Sequence, residues 1–148
     1  MFSKIVVGVD GSDTSNDALR IACDLAGKYK SDIHMVHTPQ PQTVAFAMGA
    51  VAGYHAVTTM PSHDEVVAAA TKIVEDATAI AKSCGREISS VRIDQGDPAQ
   101  EIIGCAEETG ADLIVTGRRG LGSIGSLVQG STTQRVNHLA KCATLSVI

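Results

Sequence analysis

A glycine series with two arginines inside it, Gly117-Arg118-Arg119-Gly120, is followed after nine intervening residues by Gly130-Ser131-Thr132-Thr133, and this part of the chain is best suited to chemistry on an anion. Glycine lets the backbone approach a ligand without a Cβ in the way. A glycine-rich turn that runs into a helix therefore offers bare amides and the positive end of the helix dipole, which together make a phosphate site. Leu113-Ile114-Val115-Thr116 ahead of the loop reads as a buried strand, and Ser131 onward as a helix. The Ser131 hydroxyl suits a phosphate oxygen and equally suits a helix cap, with Gln134 three residues on. Of Arg118 and Arg119, one is expected to face the phosphate.

Two familiar phosphate motifs share these glycines and fail on chemistry. Gly120 and Gly125 have P-loop spacing, but Ser126 stands where the gripping lysine is needed. Gly120, Gly122 and Gly125 spell G-x-G-x-x-G, yet no acid follows at about 20 residues to hold a ribose. No metal site is expected. Cys23, Cys84, Cys105 and Cys142 are scattered without C-x-x-C spacing, and His34 and His37, three apart on a strand, face opposite sides. Hydrolysis of a phosphate anhydride needs a positioned water and charge stabilisation. The loop brings no acid, and His138 lies about two turns into its helix. Catalytic residues are thus unassigned, and at most slow hydrolysis, or phosphoryl transfer to a hydroxyl such as Ser123 or Ser126, is left open.

Strands alternating with helices must position this loop. Lys4 to Asp10 is a continuous apolar run closed by an acid, the pattern of a strand buried on both faces, and Gly11 to Ser15 supplies turn and cap chemistry for a helix through Lys30. Asp10 has two open roles, acceptor for an adenine amino group or cap of that helix. Asp32 to Thr38 is a second strand. Asp64 to Cys84 is a long amphipathic helix stopped by Gly85, and Ile88 to Ile93 alternates as a strand near a sheet edge. Asp97-Pro98 opens a further helix, Asp112 to Thr116 is the fourth strand, and Ala143 to Ile148 closes as a fifth. This alternation predicts one α/β domain over residues 1–148, an open, doubly wound parallel sheet with helices on both faces. Asp10, Thr38 and Gly117 then all sit at strand carboxyl ends and share a crevice if the first and fourth strands are neighbours. Residues 39–63 interrupt the pattern with no Asp, Glu, Lys or Arg, and are expected to form a lid or a contact surface, with a linker carrying a small-residue helix as the alternative.

Composition narrows the function further. With 44% hydrophobic residues the chain can bury a full core, and a net charge of −4 argues against nucleic-acid binding. All sixteen acids lie at or before Asp112, so the tail with Arg118, Arg119, Arg135 and Lys141 has no carboxylate of its own. The apolar part of 39–63 is too short and interrupted for a membrane span, and the first residues lack a signal-peptide core, so a cytoplasmic protein is expected.

The longer pattern G-x2-G-x9-G-S, together with Val9-Asp10-Gly11-Ser12, His37-Thr38, Gly96-Asp97-Pro98 and Ala140-Lys141-Cys142, resembles the universal stress protein family in its ATP-binding branch. The resemblance implies sheet order 3-2-1-4-5 and a stress-response regulator that binds ATP, with Mg2+ held mainly by the phosphates. It implies adenine contacts from Val9-Asp10 and from the Thr38 backbone, and ribose and phosphate contacts from Gly117, Arg118, Gly120, Gly130, Ser131 and Thr132. It also implies a homodimer through the C-terminal strand. Ala143 departs from the family, which often has proline there. A protein partner of unknown identity is expected to read the nucleotide-bound state, and a nucleotide-free dimeric interaction protein is the remaining alternative.

Overall fold

Lys4-Ile5-Val6-Val7-Gly8 forms the central strand, β1, because three consecutive branched residues with no exposed surface need cover on both sides. In the computed structural model, which describes residues 1–48, 60–120 and 130–148, β1 pairs in parallel with β2 (Asp32–His37) on one side and β4 (Leu113–Gly117) on the other. With β3 (Ser90–Ile93) beside β2 and β5 (Ala143–Val147) beside β4, the order is β3-β2-β1-β4-β5. The expected order and the neighbouring first and fourth strands are both present. β3 is the expected edge strand, although it starts at Ser90 rather than Ile88; Ser89 N already donates to Ile33 O, outside the regular ladder.

The two sheet faces carry separate cores. Ile5, Val7, Val9, Ile33, Met35, Leu113 and Val115 pack under α1 (Asp13–Tyr29) and α3 (His63–Ser83). Val6, Val36 and Ile114 pack under Ile102 and Cys105 of α4 (Pro98–Thr109) and Val136 of α5 (Ser131–Leu139). Alternate residues of each strand thus serve opposite layers, as a period of two requires.

Local chemistry sets the helix starts. Ser12 caps α1 by accepting from Ser15 N at 3.2 Å, and Asp97 caps α4 by accepting from Gln100 N at 2.9 Å with Pro98 in the first turn, as expected. The α3 start is a full capping box: Ser62 Oγ accepts from Glu65 N and Glu65 accepts from Ser62 N, which holds the Glu65 carboxyl below its ordinary pKa. Within 39–63 a short helix, α2 (Pro41–Ala47), packs on α3, and Thr43 Oγ1 closes its first turn against Gln40 N at 2.8 Å. Residues 49–59 of the expected lid or contact segment lie outside the described residues.

The acid-free tail is not left uncompensated. Arg135 pairs with Asp97 across α5 and α4, and Lys141 Nζ lies 2.8 Å from Glu107. The charge asymmetry seen along the sequence is partly cancelled in space by acids from α4.

Candidate functional site

The strand register brings the expected site residues to one level. Val7 is opposite Met35 on one side and Val115 on the other. Continued past the last paired residues, that register puts Val9 level with His37 and Gly117, and Asp10 level with Thr38 and Arg118. Parallel pairing does extend this far, since Val9 N donates to Val36 O at 2.9 Å. The crevice between β1 and β4 lies at the carboxyl ends of the strands, where a doubly wound sheet accepts ligands.

Asp10 occupies the middle of it. Its Oδ1 accepts from Ser12 N at 2.9 Å and from Ser12 Oγ at 2.5 Å, which fixes the turn into α1. Asp10 is therefore not itself the cap: Ser12 caps α1, and Asp10 holds Ser12 in place. The other oxygen points elsewhere. A Cβ built on Gly120 would come within 2.5 Å of Asp10 Oδ2, so the loop backbone and this carboxylate are in close contact. The loop brings no acid of its own, but the turn after β1 supplies one.

Gly117 ends β4 against the first turn of α1, and its missing side chain is what permits the approach: a Cβ would lie 2.8 Å from Thr14 C and 2.9 Å from Ser15 N. Thr14 Oγ1 donates to Arg119 O and reinforces the contact. Arg118 N donates to Val147 O at 2.5 Å and Arg118 O accepts from Gly130 N at 2.8 Å, so the segments on either side of Leu121–Gln129 are joined at their bases. Leu121–Gln129, including Ser123 and Ser126, lies outside the described residues.

At the helix start the structure corrects one detail. Gly130, not Ser131, is the N-cap of α5; its backbone is extended and no side chain caps it. Ser131 is the first helical residue, and Thr132 the second. Side chains cap α1, α3 and α4, whereas the N-cap of α5 makes no side-chain cap hydrogen bond among the described residues. Thr133, which sequence reasoning passed over, is buried and donates from Oγ1 to Gly117 O at 2.7 Å, tying α5 to the end of β4. The hydroxyl run Ser131-Thr132-Thr133 carried that signal, but not which hydroxyl turns inward.

His37 is the other unanticipated member. It is 1% exposed, on the α1/α3 face with Ile33 and Met35, while His34 on the opposite face meets Ser90 Oγ at 2.7 Å. The two histidines do face opposite sides. His37 Nδ1 lies 2.9 Å from Val9 O, and because a carbonyl only accepts, the proton is on Nδ1. Nε2 then carries a lone pair, and neither it nor Thr38 Oγ1 has a hydrogen-bond partner among the described residues. These two buried polar atoms belong to adjacent residues at the end of β2, level with Val9 and Asp10.

Burial pushes the His37 pKa below the ordinary histidine value, against opposing contributions from the Val9 carbonyl and the Asp10 charge. The folded chain therefore holds His37 neutral, and the unfolded chain binds the extra proton first. Stability from this residue is complete above about pH 6.5 and is lost as pH falls through that value, by no more than about 1.4 kcal/mol per pH unit for one proton. His34 is shifted the same way by burial and adds to the loss. In urea titrations at pH 7.5 and 5.5, His37→Asn, which keeps a donor for Val9 O, is expected to lose less stability on acidification than the parent. Equal losses would assign the effect to other groups.

Comparison with known proteins agrees with this architecture. The profile of the Universal stress protein family matches residues 1–147. Universal stress protein YxiE of Bacillus subtilis is 31% identical over 153 aligned residues, covering 99% of each chain. A universal stress protein of Thermus aquaticus, encoded in the QAH/OAS sulfhydrylase 3' region, is 32% identical over 148 residues, again with 99% of each covered. Among solved structures, a universal stress protein in complex with cAMP superposes with a TM-score of 0.72 at 25% identity, covering 99% of this chain and 97% of that one. On sequence, sheet order and superposition together, this chain belongs to the universal stress protein family.

Proposed function

We propose that this protein is an ATP-binding regulator of the stress response, with the nucleotide held between the end of β1 and the G-x2-G-x9-G-S loop. The observation that carries the reading is the meeting of Asp10 and Gly120 at the mouth of the β1–β4 crevice, next to a helix start that no side chain caps. The neighbouring protein solved with cAMP supports an adenine nucleotide as ligand class. Adenine is assigned to Val9, Asp10 and the Thr38 backbone, where a carboxylate and orphaned polar atoms suit its donor and acceptor edge. Ribose lies against Gly117, Arg118 and Gly120. The phosphates are assigned to Gly130, Ser131 and Thr132 rather than to the Gly120 backbone, because two like charges 4 Å apart near a protein surface cost about 4 kcal/mol and Asp10 stands beside Gly120. Mg2+ is held mainly by the phosphates.

In this reading the protein works in the cytoplasm as a homodimer paired through β5, the second sheet edge, and a protein partner reads the nucleotide state through the loop and residues 39–63. No helix among the described residues is long and apolar enough to cross a membrane. Slow ATP hydrolysis is the second reading, favoured by the carboxylate that the turn after β1 brings to the loop.

Acid extraction of the purified protein and calorimetric titration test the proposal. An extracted adenine nucleotide, or saturable ATP binding, is expected; neither would overturn it. Asp10→Ala is expected to weaken ATP by roughly 10- to 100-fold, the loss of one hydrogen bond to a charged acceptor, while tripolyphosphate binds no more weakly. Equal loss for both would reduce Asp10 to its role in the turn. Turnover of many ATP per second, followed as ADP or AMP, would replace the regulator by an enzyme.

A further inference from the structure

Threonines further along the helices of this chain use their hydroxyls locally. Thr71 donates to Val67 O at 2.8 Å, Thr78 to Val74 O at 2.7 Å and Thr109 to Cys105 O at 2.6 Å, each one turn back in its own helix. Thr133 of α5 departs from this habit. It sits in the first turn, and its Oγ1 reaches 16 positions back in sequence to donate to Gly117 O at 2.7 Å. Gly117 is the last paired residue of the β4–β5 ladder, opposite Val147, so its carbonyl stands at the end of the sheet. The next carbonyl is occupied in the same way, since Arg118 O accepts from Gly130 N at 2.8 Å. Two consecutive carbonyls at the end of β4 thus take donors from the start of α5, and these bonds join opposite ends of the G-x2-G-x9-G-S pattern.

The two bonds differ in kind. The Gly130 bond runs from main chain to main chain, whereas the Thr133 bond depends on one hydroxyl in a side chain that is 3% exposed. Of the nine residues of α5, Thr133 and Val136 are the buried ones, and Val136 belongs to the core of this face with Val6 and Ile114. The other ties act near the surface. Arg135 pairs with Asp97, their side chains 44% and 35% exposed, and Asn137 Nδ2 donates to Ser146 Oγ at 3.1 Å. Without the Thr133 bond, Val136 still holds the middle of α5. The first turn is the part released.

We propose that Thr133 is a positioning residue for the nucleotide, the side chain that sets how far the Gly130–Thr132 amides stand from the end of β4. This rests on the nucleotide reading, in which Gly117 meets ribose and the start of α5 meets the phosphates. A ligand that touches both is held by groups on two separate elements. Hydrogen bonds weaken steeply once distance or angle departs from the preferred range, so a shift of the α5 start by a fraction of an ångström is felt at the phosphates. Adenine and ribose, held by β1, β2 and β4, do not report on α5. Thr133 itself acts through Gly117 O and the seating of the helix, with no contact of its side chain to the ligand.

The test compares ATP and adenosine on the parent chain, Thr133→Val and Thr133→Ser, by calorimetric titration with a thermal melt of each. Valine keeps the shape and removes the donor; serine keeps the donor and removes the methyl. Thr133→Val is expected to weaken ATP by about tenfold, the scale of one hydrogen bond to a buried carbonyl, and adenosine by less than about twofold. Thr133→Ser is expected to bind ATP as the parent does, even where its melting temperature falls. Equal loss of ATP and adenosine in the valine variant, or unchanged ATP affinity there, would overturn the proposal and leave Thr133 a packing residue. Where the valine variant does not fold, serine decides: parent-like ATP binding supports the proposal and a tenfold loss overturns it. A parent chain that binds neither ligand would overturn the nucleotide reading and this proposal with it, whereas a parent that binds both with variants that do not separate them overturns this proposal alone.

Discussion

Replacing Gly117 by alanine is expected to destabilise the fold by about 2–3 kcal/mol, at the upper end of what one inserted methyl group costs in a packed interior. The magnitude follows from what the methyl meets. Its nearest neighbours are main-chain atoms of the first turn of α1, at 2.8 and 2.9 Å, and not the end of a side chain that swings away. That turn is held by the Ser12 cap, by Asp10 on Ser12 and by Thr14 on Arg119 O, so it cannot retreat without losing several hydrogen bonds. Gly104→Ala, inside α4 with only an ordinary 3.8 Å contact to Arg92, is the control and is expected to stabilise by about 0.5–1 kcal/mol through helix propensity. Urea midpoints of both variants check the pair. A loss below about 0.5 kcal/mol for Gly117→Ala would mean that β4 and α1 separate at little cost.

Gly130→Val is expected to do the reverse, sparing the fold and removing the nucleotide. The Gly130 backbone is extended, with φ −67° and ψ 149°, so a side chain is allowed there, and its Cβ would meet Arg118 O at 3.5 Å, an ordinary contact. Loss of a glycine N-cap costs α5 no more than about 1 kcal/mol. The branched side chain would, however, stand in front of the uncapped first-turn amides. If the phosphates sit there, ATP affinity falls by about 100-fold or more, equal to one or two charge-assisted hydrogen bonds of about 1.5–3 kcal/mol each. Calorimetric titration beside a thermal melt separates the two effects. Unchanged affinity with an unchanged melt would move the phosphates away from α5.

How much was legible in the sequence depended on whether the responsible interaction was local. The β1 run, the Asp97-Pro98 helix start and the alternating β3 edge are encoded within a few residues of themselves, and each is present, with β1 ending two residues earlier and β3 starting two residues later than the pattern suggests. The Ser62–Glu65 box was equally local and was overlooked because the proline-rich segment before it drew the boundary at Asp64. The type of Ser131 fits a cap as well as a phosphate contact, but Gly130 takes the cap position, with Arg118 O accepting its amide, a bond across the loop that no local pattern reveals. In the same way, Asp10 against Gly120, His37 on Val9 O and Thr133 on Gly117 O join residues from different elements. Gly117 gives room for α1 and Gly120 for Asp10, contacts between elements that the loop pattern itself does not encode.

The strand order has a consequence for the chain as it is made. β2 and β3 both precede β4 in the chain, so one half of the sheet pairs with α1 and α3 already available to cover it, while the other edge of β1 waits for β4. The next roughly 20 residues take about one to four seconds to synthesise at 5–20 residues per second. During that interval Ile5, Val6 and Val7 present an unpaired edge of branched apolar residues on the ribosome, the type of edge that recruits strands from other chains. The nascent protein is thus most open to misassembly after its third strand and before its fourth, and a chaperone that shields the growing chain has its greatest effect in that window.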